Sequence, residues 1–422
     1  MEATLAGNRH ASFEKTTPMS QERSLKRGVC GLLLLCACSG PEEPAPSSSS
    51  VSESDSAGVA IHEFDYDALP APTEVDAHPE RTIGSSEDLE LHNVLDVVEW
   101  GDRIAVAEGS SQELVVVALE TDAVHRYGGE GDGPEEFRGL RSLHPLDDER
   151  LLALDNARQR YTVFDPEGNV VEERDLSGII EPGRDGLRLV APSSELRFIS
   201  VLRNLPEGMT DEPVREPGLV LRMSHSSDPD TVATVLGRTT FHGEEMAGGV
   251  GFPSTTLLAP GDEGVWIGDT ETQEVTHAVG PGEVTETVRW SREDSRAVTE
   301  DLRGEILEEL LEIEAVEGPE LEQVWPMMEW PDRVPAYDGL TSSPPEELWL
   351  RRWAPIQNPF GGGVPEGARI RESWLVVALD EAEVRQVMLP EGFELKTVGE
   401  ELLWGVHRDE LGVESIHGYA RP

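Results

Sequence analysis

The feature that most constrains this chain is a short phrase that returns six times: a polar turn followed at once by a strand of a few mostly apolar residues. It stands at Gly101-Asp102-Arg103 before Ile104-Ala105-Val106, at Asp148-Glu149-Arg150 before Leu151 to Leu154, and at Ser194-Glu195 before Leu196-Arg197-Phe198. It stands again at Asp262-Glu263-Gly264 before Val265-Trp266-Ile267, at Glu346-Glu347 before Leu348-Trp349-Leu350, and at Gly399-Glu400-Glu401 before Leu402-Leu403-Trp404. No unit this short can bury its apolar face alone, so neighbouring units must stack around a common centre. A longer echo supports the periodicity: Val116-Val117-Ala118-Leu119-Glu120 and Val376-Val377-Ala378-Leu379-Asp380 share their order of residue types.

The second unit is the clearest. Leu151-Leu152-Ala153-Leu154-Asp155 leads into a polar corner, Asn156 to Gln159, and then Arg160-Tyr161-Thr162-Val163-Phe164-Asp165-Pro166-Glu167-Gly168. This stretch resembles one NHL-type repeat of six-bladed β-propellers, in which an apolar strand ends in Asp, a polar corner ends in Arg, and a second strand ends in an Asp-x-x-Gly hairpin. The resemblance implies that the acid and the arginine, here Asp155 and Arg160, bind the corner together or bridge adjacent blades. In other units Glu108 and Asp269 occupy the acidic position and Glu274 replaces the basic one. The fold expected is therefore all-β, a six-bladed β-propeller.

Between the first and second units lies Gly128-Gly129-Glu130-Gly131-Asp132-Gly133-Pro134-Glu135-Glu136-Phe137. A dinucleotide loop must open a helix whose amides meet a pyrophosphate. This run instead follows a strand and carries several acids, and it is similar to the link between consecutive propeller blades, with Phe137 as its apolar plug. Closure is expected from the N-terminal side, because the last unit stops one strand short and Glu80 to Gly84 resembles the outer strand Val124 to Gly128. Such closure leaves no open edge. One segment departs from the β pattern: Val298, Leu302, Ile306 and Leu310 recur at helical spacing within Ser291 to Glu314, with Ser291 and Asp294 as a capping-box-like start. A short helical insert over 291–330 is expected between the fourth and fifth blades, as decoration, lid or docking element.

The N-terminal region carries an address. Arg23, Lys26 and Arg27 precede an apolar run from Val29 to Ala37, less than half of the roughly 20 residues a spanning helix needs. Basic, apolar and small residues in that order form an export signal. Its end, Leu35-Cys36-Ala37-Cys38, resembles the lipobox of bacterial lipoproteins, which implies cleavage before Cys38 and acylation of its thiol and freed amine. Cys36 departs from the commonest residue at that position but is small. Several acyl chains give stable anchoring. The chain is thus read as signal peptide over 1–37, with initiation expected at Met19, lipidated Cys38 and flexible linker over 38–58, and propeller over 59–422. The expected location is the cell envelope, in the outer membrane where the cell has two. All three cysteines, Cys30, Cys36 and Cys38, lie in or beside the signal, so no disulfide or cysteine metal site is expected in the propeller.

Charge excludes one class of partner. The 83 acidic and 34 basic residues give a net charge of -49, the opposite of the basic footprint that nucleic-acid binding requires. The acids are dispersed rather than set at a calcium-loop spacing. His92, His144, His242 and His407 stand singly, and neither a Gly-x-Ser-x-Gly elbow nor a His-Glu-x-x-His helix occurs. No cofactor is expected. An axial divalent cation stays open, because calcium-dependent lactonases and zinc-dependent peptidyl-hydroxyglycine lyases share the propeller shape. Carboxylates near the inner strands, such as Asp96, Glu99 and Asp338, could hold one. Three readings follow: a lipid-anchored binding or scaffold module for a small molecule or protein, a metal-dependent propeller enzyme, and a subunit of an envelope complex.

Overall fold

The computed structural model describes residues 49–422, except 85–88, 180–184, 192, 194, 204–207, 211, 225–227, 242–249, 292–296, 312–320, 323–324, 344–346, 354–370 and 410. The chain divides into two units, Met1–Ala45 and Pro46–Pro422. The first lies wholly outside the described residues, and with it the expected signal peptide and Cys38. No described helix is long and apolar enough to cross a membrane.

The second unit is a six-bladed β-propeller. Each blade is built on a four-stranded antiparallel sheet, its strands in chain order in the first five blades, and two blades carry additions at their outer side. The inner strands, which surround the axis, are Val94–Trp100, Leu140–Asp147, Asp185–Val190, Thr256–Gly261, Gly339–Ser343 and Phe393–Val398. The six repeated phrases each become the second strand of a blade: Arg103–Glu108, Arg150–Asp155, Leu196–Arg203, Gly264–Asp269, Glu347–Arg351 and Leu402–Arg408.

These second strands are apolar without alternation because both faces of a blade are covered by neighbouring blades. Leu151 and Ala153 turn toward blade 1, joining Trp100, Ala105, Val116 and Phe137. Leu152 and Leu154 turn toward blade 3, joining Leu187, Leu189, Ile199 and Met223. The same division recurs around the ring, so the core is six apolar clusters, one at each blade interface. Fully buried Trp100, Trp349 and Trp404 are among its largest members. Burial of a side chain that large removes 150–250 Å² from water, so each anchors its interface with about 3 kcal/mol or more.

The ring closes where the last blade lacks a strand. Arg81–Ile83 pairs antiparallel with Glu414–Ala420, completing blade 6. The flexible linker expected over 38–58 is corrected for its latter part. Ser49–Ser50 pairs with Glu383–Met388 of blade 5, and Ser52–Ser56 forms a hairpin with Val59–Asp65. That hairpin extends blade 4 through parallel pairing with Glu283–Ser291. Thr73–Glu74 then pairs with blade 5 from the same strand, Glu383–Met388. The N-terminal segment is therefore a strap along the outer edges of blades 4, 5 and 6. Backbone hydrogen bonding holds it, with Val51 and Phe64 buried as its apolar pins.

The helix between blades 4 and 5 starts later than the periodicity suggests. It spans Glu300–Leu311, and Thr299 caps it by accepting the Leu302 N–H through Oγ1 at 3.1 Å. Ser291 ends a strand instead, so the expected capping pair is not the start. Leu302, Ile306 and Leu310 are buried against Phe252 and Leu321, with Trp325, Trp330 and Trp353 packed around them. The row that could have docked on a partner is covered by its own chain.

Candidate functional site

The repeat motif comes first, because it fixes the loops at one end of the channel. Asp155 ends the second strand of blade 2, and its carboxylate accepts the N–H of Arg158 and of Arg138, both at 2.9 Å. It thereby ties its own corner to the incoming link. Arg160 does not pair with it. The guanidinium instead donates to Glu173 at 2.8 Å, to the Gly133 carbonyl at 2.7 Å, and to the Glu136 carbonyl. The Gly-rich link between blades 1 and 2 is thus bound from blade 2, while Phe137, fully buried, packs against Phe164 with centroids 6.0 Å apart. Glu108 accepts the N–H groups of His92 and Ser111, at 3.1 and 2.6 Å. Asp269 accepts both from the Glu271 N–H and from Arg215, the latter at 2.9 Å. Glu274, in the basic position, lies 3.4 Å from Arg289.

Blades 5 and 6 invert this charge pattern. Arg351 ends the second strand of blade 5 and meets Asp338 and Glu372 at 2.8 Å each. In blade 6 the corresponding arginine, Arg408, meets Glu394 and Glu414 at 2.9 Å. The acidic position of the motif has become basic, and the surrounding groups have become acidic to match.

The three candidate carboxylates occupy separate environments. Asp96, on the blade 1 inner strand, accepts the N–H of Leu143 at 2.8 Å and of Val97 at 2.9 Å. Burial pushes it up to about 6, against those hydrogen bonds and the charges of Lys396 and Arg141. Glu99 lies three residues along the same strand, about 10 Å away. Burial raises it, Glu400 and Glu401 add repulsion, and the backbone N–H of Glu400 opposes the rise. Asp338 is pushed by burial to about 6 while the adjoining Arg351 favours its charged form. Among the described residues no three His, Cys, Asp or Glu side chains gather where they could hold a metal ion.

The histidines are equally dispersed. His144 faces the channel from blade 2 and contacts Ser142 Oγ at 3.0 Å; burial and the Arg197 charge push it down to about 3. His407 stacks on His417 at 4.5 Å, where burial and the neighbouring ring lower His417 to about 4. His92 is exposed, 3.9 Å from Glu90, and His242 lies outside the described residues.

A cavity of about 280 Å³ opens at the channel end where the inner strands begin. Arg141 from blade 2, Arg188 from blade 3 and Arg238 from the last strand of blade 3 line it, with Asn156 and Thr255. The register explains the meeting: Leu140 pairs with Asp155, Gly186 with Leu202, and Thr256 with Asp269, so all these positions share one end of the ring. Arg188 stands on the inner strand of blade 3 with its side chain exposed to the cavity. Burial, then the positive charges of Arg141, Arg238 and Arg351, push it down to about 10. Sequence reasoning missed this site, because its arginines stand singly in three unrelated segments.

No protein-family model and no curated protein matches the chain. Solved structures match at the level of the fold. A Bacteroides fragilis protein inferred to be exported is 10% identical, covering 86% of this chain and 99% of its own, with a TM-score of 0.48. A calcium-binding regucalcin from Agrobacterium tumefaciens is 10% identical, covering 83% and 98%, with a TM-score of 0.41. The virginiamycin B lyase of Staphylococcus aureus is 11% identical, covering 79% and 98%, with a TM-score of 0.34.

Proposed function

We propose that this chain is an exported lipoprotein, anchored through Cys38, whose NHL-like propeller is a binding module for a small molecule rather than a metal-dependent enzyme. One observation carries the reading. The channel end holds a cavity lined by side chains from several segments, whereas the inner-strand candidates Asp96 and Asp338 are each engaged separately. Asp96 serves backbone amides and Asp338 serves Arg351, so neither is free to converge on an axial ion. A lactonase- or lyase-like mechanism needs polar groups aimed together at one reacting point. The lipobox-like Leu35 to Cys38 and the basic, apolar run before it support the address.

Two measurements test the proposal. Radiolabelled fatty acid fed to producing cells is expected to label the chain and to fail with Cys38→Ser, which also leaves the membrane fraction. Elemental analysis of the purified chain is expected to find no stoichiometric calcium or zinc. One tightly held equivalent whose removal abolishes a hydrolytic or lyase activity would overturn the binding-module reading.

A further inference from the structure

The arginine-lined cavity identifies a class of ligand, an inference that rests on the binding-module reading above. The chain carries far more acidic than basic residues, and many of its described arginines find a carboxylate. Arg126, Arg138, Arg150, Arg215, Arg351 and Arg408 each do so at 2.6–2.9 Å. Arg141 and Arg188 do not: neither side chain forms an ion pair or hydrogen bond with a described residue, and both line the cavity. Arg238 lines the same space, so three guanidinium groups converge in a chain whose net charge is -49.

Three like charges around about 280 Å³ repel one another, and a deep position weakens the water that would compensate them. Among the described residues no carboxylate pairs with Arg141 or Arg188, Asp96 acting on Arg141 only from beyond ion-pair distance, and an anion in the cavity offsets the repulsion. Guanidinium groups bind carboxylate and phosphoryl oxygens through parallel hydrogen bonds, the strongest kind available to neutral-pH side chains. A second observation points to the same space. Asn156 Oδ1, at its wall, is buried without a hydrogen-bond partner, although the amide nitrogen reaches the Leu187 carbonyl at 3.4 Å. A ligand hydroxyl would satisfy that oxygen.

We propose that this cavity binds a small organic anion with two or more negative charges and a hydroxyl group, a hydroxylated polycarboxylate or a phosphate monoester, with Arg188 as its central contact. The acidic exterior repels anions at a distance, but at physiological ionic strength the screening length is about 8 Å, so the nearby arginines dominate inside the cavity.

Isothermal titration of the full detergent-solubilised chain against citrate, glycerol phosphate and inorganic phosphate, with acetate as the monovalent control, tests this. Citrate or glycerol phosphate is expected to bind at least tenfold more tightly than acetate, and the better of the two assigns carboxylate or phosphoryl chemistry. Inorganic phosphate equalling glycerol phosphate would remove the hydroxyl from the proposal. Arg188→Gln is expected to weaken binding at least tenfold while the ligand-free chain melts no lower than the parent, because the substitution removes an unpaired charge. Should Arg188→Gln fail to fold, Arg141→Gln at the cavity wall serves instead, with the same expected loss. Absence of heat with all the multivalent anions, or binding unchanged by either substitution, overturns the anion site. Neither result touches the fatty-acid labelling or metal analysis, which judge the broader reading separately.

Discussion

The carboxylate of Glu414, in blade 6, accepts the backbone N–H of Val94, at the start of blade 1, at 2.7 Å and across 320 residues of chain. Both groups are buried, and the same carboxylate meets Arg408 at 2.9 Å. The ring is thus latched by a side chain as well as by the strand Arg81–Ile83. Glu414→Ala leaves a buried N–H unsatisfied and Arg408 short of one partner, which costs about 1–3 kcal/mol. Denaturant unfolding is the measurement; a change below about 0.5 kcal/mol would deny the latch its role.

Phe137 offers a test of the interface between blades 1 and 2. It is fully buried, and a side chain at Gly128, where φ is +91°, would meet its ring within 2.7 Å. Phe137→Ala is expected to destabilise by about 3–5 kcal/mol through the cavity it leaves. Gly128→Ala is expected to cost more than 1 kcal/mol, since it adds backbone strain to the clash.

Two channel groups give opposite pH responses. His144 titrates near 3 in the folded chain and near 6.5 in an unfolded one, so between those values only the unfolded chain takes up the proton. Its contribution to stability is complete above 6.5 and is lost as pH falls toward 3. Asp96 runs the other way. Its folded value of about 6 exceeds the ordinary 3.8, so its contribution is present below 3.8 and is lost as pH rises through 6. Urea midpoints from pH 4 to 7 are expected to fall less steeply on acidification for His144→Gln than for the parent. For Asp96→Asn they are expected to gain on the parent as pH rises. Parallel pH curves for parent and variants would refute both assignments.

The helix insert is predicted to unfold separately from the ring. Ile306 is fully buried on the helix's inner face, and the cluster it belongs to stands apart from the six blade interfaces. Ile306→Ala is expected to cost about 2–4 kcal/mol locally. Hydrogen exchange should accelerate in Glu300–Leu311 and leave the second strands of the blades protected; uniform acceleration would show the insert to be part of the ring's cooperative unit.

The second strands were legible because burial on both faces imposes a continuous apolar run bounded by a polar turn, and this survives in sequence six times over. Arg81–Ile83 was legible through its likeness to another outer strand. Ser52–Ser56 was not, since every residue in it is exposed and it pairs through backbone groups that carry no side-chain signature. The helix start was misplaced for a related reason: Ser291 is a good cap by composition, but pairing with Asp65 in the strap holds it in a sheet. The arginine cavity was invisible because only the stacking of blades 2 and 3 brings Arg141, Arg188 and Arg238 to one end. Likewise, the reversal of charge at Arg351 and Arg408 reads as loss of the repeat until the facing acids Asp338 and Glu394 are seen beside them.

The strap has a consequence for the order of events in biosynthesis. Ser49–Ser50, Val59–Asp65, Thr73–Glu74 and Arg81–Ile83 are made early, but the strands they join all lie beyond residue 282. Pairings so distant along a polypeptide form late. Apart from the local hairpin of Ser52–Ser56 with Val59–Asp65, the strap strands therefore wait for the trailing third of the chain before they can join the blades, and the propeller closes last.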